Sequence, residues 1–135
     1  MEYDLHHSIK QAVALDFQTI STDTTTAGNI IDTAGFESLE FIVGTGTVTD
    51  GDYAFKIEDG DDDGLSDNDD VDSTLILGVL TGFTADADDD KALRVGVLSK
   101  KRYVRLSIVS TNTSSGAEIF AVAVLGHAKS QPTAE

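Results

Sequence analysis

Short stretches in which apolar and polar residues alternate recur along the whole chain, and no long run keeps the 3.6-residue period of a helix. Val13, Leu15 and Phe17 alternate with Ala14, Asp16 and Gln18. Leu39, Phe41 and Val43 alternate with Glu40 and Ile42, a run that should end at Gly44-Thr45-Gly46. Tyr53, Phe55 and Ile57 alternate with Ala54, Lys56 and Glu58. Leu75 to Leu80 and Ala92 to Leu98 are apolar runs, each holding one glycine. Tyr103 to Val109 and Ile119 to Leu125 are β-branched or aromatic throughout, and a further short strand fits Asn29-Ile30-Ile31. Thr26-Ala27-Gly28-Asn29, Ala34-Gly35, Thr49 to Asp52 and Asn112 to Gly116 carry turn chemistry. Seven or eight strands so spaced predict an all-β, single-domain antiparallel sandwich or barrel, with a jelly roll among the arrangements allowed. Residues 1–12 read as an N-terminal arm, of which 4–12 form one helical turn or an extended path. Residues 13–127 form the β-sandwich domain and 128–135, with Pro132, a C-terminal tail. The apolar Ile119–Leu125 has no charged or proline guard, so it must lie centrally or be covered by a neighbouring subunit.

The 135 residues suit one domain. They include no cysteine, which removes disulfides, thiolate metal sites and cysteine nucleophiles. No apolar stretch is long enough to span a bilayer as a helix, and Met1-Glu2-Tyr3-Asp4 lacks the cationic-then-apolar order of a signal peptide. The formal charge is −15, from 24 acids against nine Lys and Arg. Eleven of the acids lie between Asp50 and Asp72 with only Lys56 among them, and Asp86, Asp88, Asp89 and Asp90 form a second group. The remainder is nearly neutral. A surface of this sign repels phosphate, so neither nucleic acid nor an anionic membrane is an expected partner.

Asp59 to Asp70 fits the D-x-D-x-D-G-x-x-D spacing of a linear calcium loop. Asp59, Asp61 and Asp63 would be side-chain ligands, Gly64 the turn and Leu65 a carbonyl donor. Asp67 and Asp70 would complete the shell. The alternative for the same tract is a solvated hairpin loop. Against calcium stand an Asp, not a longer Glu, at the twelfth place, Ser66 at the eighth, and flanking strands in place of helices. No calcium is therefore required by this reading, although the loop allows it.

Catalytic constellations are not apparent. His6 and His7 are adjacent, so an extended strand would point them oppositely, and His127 follows a glycine at a strand end. No serine sits in a nucleophile elbow. Gly44-Thr45-Gly46-Thr47 lacks the lysine and helix of a phosphate loop. Glu37 and Glu40 belong on opposite strand faces. An enzyme is not expected.

Five blocks recur in a fixed order: Asp4 to Lys10, Gly35 to Phe41, the acidic hairpin ending Leu65-Ser66-Asp67, Lys101 to Arg105, and Ala121 to His127. Together they resemble a group of small proteins encoded among the head genes of tailed bacteriophages, over nearly the whole chain. The resemblance implies a non-enzymatic virion protein, made in the host cytoplasm. Such a protein decorates or cements the outside of an icosahedral capsid built from a different major capsid protein, and acts as a homo-oligomer. Tyr3, Leu5, Ile9, Arg102, Tyr103 and Arg105 are candidate interface residues, since aromatic, apolar and Arg side chains anchor interfaces. Tyr103 in the core, with the basic residues as solvated strand ends, is the competing reading. Two other functions fit the composition: a calcium-dependent carbohydrate- or surface-binding β-module, and a tail or connector component.

Overall fold

The computed structural model of the chain describes residues 4–84, 88–98 and 101–129. The strands are β1 (Lys10–Ile20), β2 (Thr25–Asp32), β3 (Phe36–Val48), β4 (Asp52–Gly60), β5 (Asp69–Asp70), β6 (Ile76–Leu77), β7 (Phe83–Thr84), β8 (Ala92–Val97), β9 (Tyr103–Thr111) and β10 (Ala117–Ala128). One sheet, here called the first, has the order β1-β10-β3-β8-β6. The second has the order β2-β9-β4-β5, with β7 also on β4. Pairing is nested and antiparallel: β1 with β10, β2 with β9, β3 with β8, and β4 with β5. A long hairpin folded over itself in this way is a jelly roll, the two-sheet arrangement of eight strands. β6 and β7 are two-residue additions to it. Among the described residues no helix is long and apolar enough to cross a membrane.

The core lies between the sheets. Leu39, Phe41 and Val43 of β3 and Tyr53, Phe55 and Ile57 of β4 belong to one core, both triplets buried as their alternation predicts. Ile119, Ala121, Ala123 and Leu125 of β10 and Val104, Leu106 and Ile108 of β9 fill the centre. The Phe55 and Phe83 rings meet edge to face, 5.7 Å apart at 73°. β10 runs between β1 and β3, so its apolar character is that of a central strand.

Five local expectations are corrected. In β1 the alternation of Val13, Leu15 and Phe17 fails: Ala14 and Leu15 are both buried, while Val13 and Phe17 are 45% and 63% exposed. Two register shifts against β10, between Val13 and Leu15 and between Leu15 and Gln18, cause this, because an extra residue in one strand breaks the two-residue period. Thr26 to Asn29 is no turn but part of β2, with its own shift between Ala27 and Ile30. β3 does not stop at Gly44-Thr45-Gly46, and continues to Val48 through pairs to β10. Of Leu75 to Leu80 only Ile76–Leu77 is a strand, since Leu75 closes a 3₁₀ turn capped by Asp72 and Gly78 turns the chain at φ +104°. Finally, Leu5 to Ser8 forms a turn and β1 already begins at Lys10, which pairs with Leu125.

The two edge strands β1 and β2 are stitched together across the sandwich. Asn29 Nδ2 donates to the Val13 carbonyl and to Asp16 Oδ1, each at 3.0 Å. Gly28 lies against the backbone of both sheets at this seam.

Candidate functional site

The acidic hairpin between β4 and β5 is ordered by its own carboxylates. Asp67 Oδ2 accepts from the Asp61 amide at 3.0 Å and its Oδ1 from the Asp62 amide at 3.1 Å. Asp62 Oδ2 accepts from the amides of Gly64 and Ser66. These bonds hold the Asp62 and Asp67 carboxyls below their ordinary range. Of the candidate ligands, Asp59 is buried in β4, Leu65 is buried at φ +55°, and Asp61, Asp63, Asp67 and Asp70 are exposed. Among the described residues no three His, Cys, Asp or Glu side chains gather as a metal-holding group.

The other acids do similar work. Asp50 accepts from Ser114 N and Oγ, Ser115 N and Gly116 N at 2.6–3.0 Å, which pushes its carboxyl far below the usual range. Asp23 accepts from Thr113 N and Oγ1 on the other side of the same turn. Tyr53 Oη donates to the Asp50 carbonyl at 2.7 Å from within the core. In the second acidic group, Asp89 accepts from Val48 N and Asp88 from Thr84 N. Asp86 lies outside the described residues. Much of the acidity therefore serves to fasten turns.

The basic cluster is likewise engaged within the chain. Arg102 makes a two-bond pair with Asp32, at 2.8 and 2.9 Å, and its guanidinium stands 5.0 Å from the Tyr103 ring centre. Arg105 Nη2 donates to Glu58 Oε1 at 3.2 Å, directly across β9 and β4. Asn68 Nδ2 also donates to Glu58, and Lys56 approaches both Glu58 and Asp70. Tyr103 is half-buried, as neither reading of it fully required. Leu5 is 69% exposed and Ile9 half-buried, and Tyr3 lies outside the described residues. Sequence reasoning missed Glu58, a carboxylate 7% exposed beneath these cations, because only the register reveals its partner. Removing it leaves Arg105 without a counter-charge in a half-buried site, so Glu58→Ala should lose about 1–3 kcal/mol in urea unfolding. The pair Glu58→Met/Arg105→Met should recover most of that. A single variant as stable as the parent would show the pair to be idle.

Among the histidines, His7 Nδ1 lies 2.9 Å from Asp4 Oδ1 on the surface, and exposed His127 bonds Ser38 Oγ through Nδ1 at the end of β10.

The outer faces of the two sheets differ in kind. The second sheet shows Lys56, Glu58 and Arg105 outward, paired with one another. The first shows apolar side chains in register: Val13 opposite Val122, Val122 opposite Ile42, and Ile42 opposite Arg94. Phe17, Ile42, Leu77 and Phe120 are 36–63% exposed. The signal was present in the sequence: a strand apolar at every place, as Ile119–Leu125 is, reads as covered on both faces. The sandwich covers one.

No known family model matches the chain, and no curated protein matches it.

Proposed function

We propose that this is a non-enzymatic virion structural protein that decorates or cements the outside of a tailed-phage capsid as a homo-oligomer, with the major capsid protein as its partner. The observation that carries the reading is the apolar outer face of the first sheet on a molecule of charge −15, a surface built to be covered. The five sequence blocks that resemble phage head-gene proteins supply the setting. A jelly roll with carboxylate-fastened turns suits a rigid adhesive, and the arrangement recurs in viral capsid and lectin domains, although a fold alone does not decide function. Attachment by many symmetric copies adds weak contacts into firm binding and asks for no reaction centre. The reading involves no calcium, no nucleic acid and no membrane.

The protein should co-purify with intact particles of the phage that encodes it, in copy numbers fixed by capsid symmetry and read by quantitative mass spectrometry. Its presence in infected-cell lysate but absence from particles would overturn the reading.

A further inference from the structure

The unpartnered face of the first sheet also points to what covers it. We infer that a second copy of this chain docks there, sheet face against sheet face, about a two-fold axis near Ile42 and Val122. The inference deepens the homo-oligomer named above and rests on that part of the reading.

Three observations commit the face to a second copy. The first is charge. Arg94 on β8 and Glu40 on β3 lie on this face, and among the described residues neither side chain makes a hydrogen bond or ion pair. Glu40 instead lies over Gly96, beside Leu77, with Oε2 where a β-carbon on Gly96 would be 2.8 Å away. In an isologous pair each Arg94 meets the other copy's Glu40, so one sequence supplies both halves of a complementary pattern. Of the 24 acids only Asp16, Glu37, Glu40 and Glu118 lie in the described strands of the first sheet, so most of the −15 sits off these strands.

The second is area. Four neighbouring strands about 4.8 Å apart and seven or eight residues at about 3.3 Å span roughly 20 by 25 Å, hence about 1,000 Å² for a pair before side-chain relief is counted. That reaches the size of a specific association.

The third is the way β1 is built. Its register shifts place Phe17 outward, where plain alternation with Leu15 would have buried it. Bulges re-aim side chains, and this one adds an aromatic anchor to the same face as Val13 and Phe120.

Sedimentation of the full chain tests the inference. A dimer is expected at tens of micromolar, and Ile42→Asp should raise its dissociation constant at least about tenfold while retaining the circular dichroism of the parent. Arg94→Glu should weaken it too, and Arg94→Glu/Glu40→Arg should restore it, which keeps the test sound if Ile42→Asp fails to fold. A chain that stays monomeric, or a dimer untouched by folded variants, overturns the inference. If Ile42→Asp abolishes particle binding by a monomeric parent, the shell is the occupant and the second copy is not. A monomer that still rides on purified particles leaves the virion reading intact, whereas a dimer absent from particles overturns that reading alone.

Discussion

Gly28→Ala should unfold much of the protein's margin of stability, costing about 3 kcal/mol or more and roughly 10 °C in melting temperature. A β-carbon at Gly28 would stand 2.2 Å from the Leu106 carbonyl oxygen and 2.4 Å from that of Ala14. Both obstacles are backbone atoms of strands locked into opposite sheets, so neither can swing aside as a side-chain end would. Relief requires parting β1 from β2, which also breaks the Asn29 bonds to Val13 and Asp16. Gly44→Ala is the control: its nearest atoms would be 3.8 and 3.9 Å away, an ordinary contact, and its effect should stay within about 0.5 kcal/mol. Thermal unfolding of the two variants side by side decides the matter. Equal melting temperatures would mean that the seam between the sheets yields.

Acid should destabilise the protein steeply. Asp4, Asp23, Asp32, Asp50, Asp62, Asp67 and Asp72 all have carboxyls held below their ordinary values. For most the cause is hydrogen bonds donated by nearby amides and hydroxyls; for Asp32 it is first the Arg102 guanidinium. A carboxyl depressed in the folded chain stabilises it fully above the unfolded value, about 3.9, and ceases to do so as pH falls toward the folded value. Stability should therefore be flat from neutrality to about pH 5 and fall below about pH 4. An opposing effect exists, since protonation also relieves mutual repulsion among 24 acids. That repulsion acts across screened water, with a reach of about 8 Å at physiological salt, whereas the lost bonds are contacts of 2.6–3.2 Å. The bonds win. Asp50→Asn should be less stable at pH 7 and show a shallower acid limb, since Asp50 alone collects four donors. A protein that grows more stable between pH 5 and 3 would show that charge repulsion dominates.

The sandwich was legible where strands keep strict alternation against regular partners. Leu39-Phe41-Val43 and Tyr53-Phe55-Ile57 are buried as read, and the turn glycines Gly35, Gly51 and Gly116 all sit at positive φ. It was illegible where one residue is inserted into a strand. In β1 two register shifts send Val13 and Phe17 outward, and nothing in the strand's own composition announces that. Glycine usually signals backbone freedom, which makes Gly28 look like a turn residue; in the structure it is needed for close approach inside a strand. The acidic tract matched a calcium spacing by being rich in Asp, but which oxygens face amides depends on loop geometry. The Glu58–Arg105 pair depends on which residues of β4 and β9 face one another, a fact of register. The apolar outer face was half visible, in the uninterrupted apolar run of β10 and in Ile42 at a polar place of β3.

The nested pairing also sets a timetable for synthesis. Among the described residues only β4 with β5 pairs consecutive strands; Lys10 must find Leu125, and β10 separates β1 from β3. At about 5–20 residues per second, β1 leaves the ribosome and waits roughly 5 to 20 seconds for the strand that joins it to β3, which waits somewhat less. Over that interval their bare edges, rich in β-branched residues, are open to mispairing between nascent chains, so yield in the cell should depend on chaperone supply and translation rate.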